Sequence, residues 1–280
     1  MRGSLGSAVR SAWESREGRL GTVILLALVI VAAVGPPFLA DPATISDAVA
    51  GAQGLSPAHP LGTDHLSRDV LARVVVGARI SLTIAALAVG LSVTLGALVG
   101  LISGYLGGIV DTVLMRFVDG ALAIPRLFLL LLLVMVWEQV PIGALILVLG
   151  GTGWLGTSRV IRGEVLRLRE EPFVMAARAI GASPWRIITK HLFPNVTGPL
   201  LVAATLGLGD VILIEAGLSF LGLGVQPPTP SWGGMILEAR PVLLSAPWTS
   251  IVPGTAILIT VLAANLISDA LQAALEPRGA

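Results

Sequence analysis

The chain has 280 residues, 55% hydrophobic and 12% charged, with a mean hydropathy of +0.90; soluble domains carry roughly 25% charge, so this is a membrane protein and a large soluble enzyme domain is excluded. Eighteen basic and 17 acidic residues leave a formal charge of +1, which offers no bulk attraction to nucleic acid. Zero cysteines remove disulfides, zinc–thiolate sites and thiol catalysis.

A spanning helix needs about 20 apolar residues, and in hydrocarbon only helices or closed barrels satisfy their own backbone. Six runs reach helical length, near residues 20–40, 79–105, 112–137, 140–158, 196–218 and 250–272. They predict an all-α membrane protein with six transmembrane helices.

Arg2, Arg10, Arg16 and Arg19 precede the first run. A basic stretch followed by Thr22–Val34 has the shape of a signal peptide, but no small-residue cleavage site follows Val34. Gly35-Pro36-Pro37-Phe38 reads as a helix stop, so an uncleaved anchor is expected. The next stretch, 41–79, sets Arg68, Arg73 and Arg79 against Asp41, Asp47, Asp64 and Asp69, which suits an outer loop.

In the second run Gly96, Gly100, Gly104 and Gly108 recur every four residues. Four positions without side chains on one helix face form a packing seam. Arg116 and Asp119 in the third run sit at i,i+3 and are expected to neutralise each other.

Between the fourth and fifth runs lie Arg159, Arg162, Arg167, Arg169, Arg178, Arg186 and Lys190 against Glu164, Glu170 and Glu171. Basic residues in short loops stay on the cytoplasmic side, so this segment and the N-terminus face inward. Even parity then puts both termini inside, with Arg278 at the end. Within this segment Pro172 suits a first helical turn and Gly181 a C-terminal stop, predicting a helix of two to three turns over about 172–181. Phe173, Ala176, Ala177 and Ile180 share its apolar face. Such a patch either fits a groove on a partner protein or rests on lipid headgroups.

Asp210 and Glu215 in the fifth run have no basic neighbour in sequence. They face either a translocation path or water at the outer interface. Asn265 and Asp269, at i,i+4 in the sixth run, are expected to serve helix packing. His59 and His65 lie in the outer loop and His191 on the other side of the membrane, so the histidines assemble no metal or proton-relay site. No H-E-x-x-H or G-x-S-x-G occurs, and the single lysine, Lys190, follows Thr189 rather than glycine, so there is no P-loop. No catalytic residue or metal site is predicted.

Met175-Ala176-Ala177-x-x-x-Gly181, followed by His191-Leu192-Phe193-Pro194, resembles the Glu-Ala-Ala-x-x-x-Gly…Ile-x-Leu-Pro loop of binding-protein-dependent ABC importer permeases. Further segments are similar to the C-type permease subunit of dipeptide/oligopeptide importers. In the first half these are His59-Pro60-Leu61-Gly62-Thr63-Asp64, Arg68-Asp69-Val70-Leu71, Gly77-Ala78-Arg79-Ile80-Ser81-Leu82, and Gly104-Tyr105-Leu106-Gly107-Gly108 with Asp111, Met115-Arg116, Asp119 and Pro125. In the second half they are Pro194-Asn195, Glu215-Ala216-Gly217-Leu218-Ser219-Phe220-Leu221-Gly222-Leu223-Gly224 and Pro227-Pro228-x-Pro230-x-Trp232-Gly233. The chain departs from the pattern at Met175, where the family has glutamate, at His191 and Phe193, where it has isoleucine and leucine, and at Ser67, where glycine is expected.

The resemblance implies a type I ABC importer permease fold in a bacterial-type inner (plasma) membrane, with both termini cytoplasmic. It divides the chain into 1–76 (N-terminus, first helix and outer loop), a permease domain over 77–272, and a cytoplasmic tail over 273–280. Implied partners are a second permease, two ABC ATPase subunits, an extracytoplasmic substrate-binding protein, the lipid bilayer and a peptide substrate, with no nucleic acid. ATP and Mg are expected on the ATPases, and no cofactor on this chain. Glu171, Phe173, Ala176, Ala177, Ile180 and Gly181 would couple to the ATPase, and Asp210 and Glu215 would line the path. Related importers carry nickel complexes, haem or glutathione instead of peptides, and an ion-coupled secondary transporter is the reading from another class; it would hold its coupling site within its own spans.

Overall fold

The computed structural model describes residues 5–45 and 51–275. Arg2, Asp47 and Arg278 of the charge argument lie outside the described residues. The described residues form eleven α-helices, with no strand among them.

A short amphipathic helix α1 (Leu5–Glu14) leads into α2 (Arg16–Val34), whose start is fixed by the Ser15 hydroxyl accepting from the Gly18 amide. α2 ends before Pro36-Pro37, as the missing proline amides require. The outer loop then returns to α3 (Val70–Leu106), 37 residues long and capped by Asp69, whose carboxylate accepts from the Ala72 amide at 2.8 Å.

Gly107 and Gly108, both at positive φ, reverse the chain into α4 (Gly108–Leu122). A bend of 85° separates α4 from α5 (Arg126–Val134). The third apolar run is therefore two helices rather than one straight span. Pro125 causes this: it lacks an amide to continue the ladder and disfavours helical ψ at Ile124. Among the described residues five helices are long and apolar enough to cross a membrane, six if the bent pair counts as one span.

α6 (Ile142–Leu168) runs along α3 in the most extensive contact of the bundle. A Cβ at Gly96 would lie 2.6 Å from Thr157 Cβ, one at Gly100 2.7 Å from the Ser158 carbonyl, and one at Gly104 2.8 Å from Val165 Cβ. The seam thus brings the backbones together at three of the four expected positions. Gly108 has nothing within 4 Å and serves the turn instead.

After α7 (Pro172–Ala179) and α8 (Pro184–Ile187), a π-helical turn over Ile188–Leu192 leads into α9 (Phe193–Phe220). α10 (Trp232–Glu238) lies over the outer end of the bundle, and α11 (Trp248–Leu275) closes it. The main core joins α3, α5, α6 and α9 through Ile84, Leu130, Leu145, Leu149 and Ile212. Ala12 of α1 packs on Ala270 and Leu271 near the end of α11, and Leu275 fills the space beside Gly198. The described N- and C-terminal helices therefore meet at the end of the bundle that carries α7.

Candidate functional site

Three constructions stand out: α7 at the basic end, a cavity along α9, and a charged cluster at the opposite end.

α7 is held from both sides. Val174 and Ala177 are buried with Leu168 of α6, Ile187, Ile188 and Leu192, and the Arg178 guanidinium lies 5.7 Å from the Tyr105 ring centre. The helix stops two residues before the expected boundary. Gly181 takes φ +81°, its amide donates to the Arg178 carbonyl and the Ala182 amide to the Ala177 carbonyl, both at 3.0 Å. This is a Schellman stop, which needs glycine at that position.

The expected patch divides. At about 100° per residue apolar residues fall all round α7; Val174 and Ala177 turn inward, whereas Phe173, Met175, Ala176 and Ile180 remain exposed, Ile180 at 85%. Ala177 thus anchors the helix rather than presenting a surface. Glu171 precedes the first turn and accepts from Arg167 Nη1 at 3.1 Å. Met175, in place of a glutamate, leaves an exposed apolar side chain where a charge would stand.

The cavity, about 1480 Å³, opens among α3, α6, α9 and α11. Asp210 and Asn265 line it; Glu215 does not. Arg126, which no sequence argument singled out, lies 3.5 Å from Asp210 (Nη1 to Oδ2). Asp210 therefore has a basic partner 84 positions earlier in the chain. Glu215 is 1% exposed and accepts from the hydroxyls of Ser219 at 2.8 Å, Ser231 at 2.9 Å and Ser81 at 3.5 Å. It ties α3, α9 and the start of α10 together. Asn265 and Asp269 are both exposed side chains, so Asn265 faces the cavity rather than a packed helix seam.

Asp119 pairs with Arg159 at 2.7 Å, not with Arg116. Asp111 accepts both Arg162 Nε and Nη2, at 2.5 and 2.6 Å. These two pairs clamp α4 onto α6.

At the opposite end, Asp64 accepts from Arg68 Nε at 2.7 Å and faces Arg73 Nε at 3.4 Å. Glu238 of α10 accepts from both Arg68 and Arg73, the latter at 2.9 Å. Two cations and two anions balance, which permits Arg73 to be 1% exposed. His59 Nδ1 meets Asp69 at 2.7 Å, and Trp248 Nε1 donates to the Thr63 carbonyl. The motif residues 59–69 thus fold an outer cap onto α10 and α11. Ser67 takes φ +57°, the conformation for which glycine was expected.

Residues 96–279 match the family described as binding-protein-dependent transport system inner membrane component. The dipeptide transport system permease protein DppC of Bacillus subtilis is 37% identical over 97% of this chain and 86% of its own length. The oligopeptide transport system permease protein OppC of the same organism is 36% identical over 95% of this chain and 87% of its own. In fold, the chain is similar to a subunit of the MetNI methionine ABC transporter solved in inward-facing conformations, with TM-score 0.57, 22% identity, and coverage of 74% of this chain and 98% of the other. This chain belongs to the binding-protein-dependent transport system inner membrane component family, as a multi-pass permease subunit of ABC importer fold.

Proposed function

We propose that this chain forms half of the translocation pathway of an ATP-driven peptide importer, beside a second permease, with two ATPase subunits, one of them docking on α7, and an extracytoplasmic binding protein delivering the peptide. The observation that carries the reading is α7 itself. Its inner half is packed against the ends of α6 and the α8–α9 segment, and its outer half leaves Met175, Ala176 and Ile180 exposed, with Phe173 half-exposed beside the His191 ring. An apolar face of that size on a basic surface suits a groove on a soluble partner.

The mechanism follows from the anchoring. ATP and Mg bind on the ATPases, and their closure displaces the docked helix. Because Val174 and Ala177 are packed with Leu168, Ile187 and Leu192, α7 cannot move without the helices that line the cavity. Two arrangements of that packed unit give alternating access. Hydrolysis resets it. Asp210 lines the path; Glu215 holds its outer end together. The printed names of the relatives support peptides as cargo.

Ile180→Glu in the reconstituted complex is expected to abolish peptide uptake and ATPase retention on purification while the permease pair still inserts. Ala177→Glu is a different experiment, since it disrupts the anchor as well. Normal uptake with Ile180→Glu would overturn the docking role. Assaying which ligand stimulates the ATPase of the whole complex tests the cargo.

A further inference from the structure

We propose that Arg126 and Asp210 form a transit site for the two charged ends of a short zwitterionic peptide, the guanidinium taking the terminal carboxylate and Asp210 the terminal ammonium. This rests on the peptide reading above.

The pair is built to exchange partners. Its 3.5 Å separation exceeds the roughly 2.7–2.9 Å of a hydrogen-bonded ion pair. The Asp210 side chain is 69% exposed to the cavity that it lines. Arg126 has five donors, yet its hydrogen bonding among the described residues is one long contact from Nη2 to the Leu149 carbonyl, 3.4 Å, and its buried Nε meets no acceptor. An arginine held like this has room for a carboxylate. Gly153 keeps that room open, because a Cβ there would lie 3.2 Å from Arg126 Nη2.

Depth and charge balance narrow the ligand. Gly153 and Asp210 each lie ten or eleven residues from the outer ends of α6 and α9, about 15 Å at about 1.5 Å per residue, near the middle of a bilayer. Cargo sites of secondary transporters sit at that depth. Among the described residues the other charged group lining the cavity, Glu164, is eleven residues further along α6. At mid-depth the wall therefore holds one positive and one negative group. A zwitterion entering between them replaces each partner with an equivalent one, so no charge is left uncompensated in a medium of low polarity. A singly charged cargo would strand one member of the pair. The cavity, about 1480 Å³, exceeds the roughly 300–1,000 Å³ of ordinary small-molecule pockets, leaving space for side chains of any kind, with Ser92, Thr152 and Asn265 as neutral polar contacts.

The test uses the complete complex in proteoliposomes with saturating binding protein loaded with labelled dialanine, and reads uptake per ATP hydrolysed. Arg126→Gln and Asp210→Asn are each expected to lower that ratio roughly tenfold or more, as loss of one member of a close charge pair does. Arg126→Lys and Asp210→Glu should retain most of it, and all four variants should assemble. Unchanged uptake per ATP in the Gln and Asn variants overturns the site and leaves the peptide reading standing. Loss of assembly in those variants, restored by the exchanged pair Arg126→Asp with Asp210→Arg, makes the pair structural and also overturns it. If the unaltered complex imports no dipeptide while another ligand stimulates its ATPase, the peptide reading fails and the site falls with it.

Discussion

Glu215 shows how one residue changes meaning between sequence and structure. In the sequence it is a carboxylate in an apolar run with no basic neighbour. In the structure it is the shared acceptor of Ser81, Ser219 and Ser231, and Ser81 and Ser231 in turn accept the amides of Trp232 and Gly234. Ser81 is 134 positions away, so nothing local pointed to it. Glu215→Ala would leave three buried hydroxyls without their acceptor and open a void; a loss of about 2–4 kcal/mol is expected, read as a lower unfolding midpoint in detergent. Glu215→Gln, which keeps the acceptor oxygen and the volume, should lose less. Equal midpoints for the alanine variant and the parent would remove Glu215 from the outer tie. Ser67 is the opposite case: the family pattern expects glycine, and the backbone shows why, with φ +57°. Serine is tolerated there because its hydroxyl donates to the Gly51 carbonyl at 2.9 Å, offsetting a left-handed strain of about 1–2 kcal/mol.

At the scale of elements, hydropathy located every spanning helix but misjudged their ends. α3 begins at Val70, nine residues before the apolar run at 79. Arg73 and Arg79 lower the hydropathy there, and the neutralisation of Arg73 by Glu238, 165 positions later, is visible only in three dimensions. The bend at Pro125 was equally hidden, because averaging over a window sees composition and not direction. The glycine seam was legible, since spacing alone places glycines on one face. Its energetics can be checked within a single helix. Gly90 has open space around the position of a Cβ, whereas Gly100 has Ser158 and Ile161 within 2.8 Å. Gly90→Ala should leave the unfolding midpoint unchanged or raised, as alanine favours helix by about 1 kcal/mol. Gly100→Ala should lower it, by an overpacking cost of about 1–3 kcal/mol. If the two variants behaved alike, close approach of α3 and α6 would not be what the seam provides.

For the whole molecule, the distribution of charge predicted which segments share an end: the segment 159–190, α1 and the described end of α11 lie at one end of the bundle, and the Asp64–Arg68–Arg73–Glu238 cluster occupies the other. The cavity was not legible, because its wall is assembled from helices far apart in sequence. Asp210 and Glu215 were both expected to line a path, yet of the two Asp210 alone lines the cavity, and its partner Arg126 opens a helix that the sequence merged into a longer span. A cavity that serves as half of a pathway must be wet on one helix face and dry on the other at the same depth. α11 allows that comparison: Asn265 lines the cavity, while Ser268, less than one turn away, is fully buried against the bundle. The chain contains no cysteine, so an introduced thiol is the one label site on this subunit. In the nucleotide-free complex, Asn265→Cys and, on α9, the exposed lining position Leu206→Cys should react with a membrane-impermeant maleimide supplied from the cytoplasmic side. Ser268→Cys should not. Trapping the ATPases closed should slow labelling at 206 and 265, because the path then opens to the other side. Equal labelling at all three positions, or none at 206 and 265 in either state, would remove the cavity as the route through the membrane.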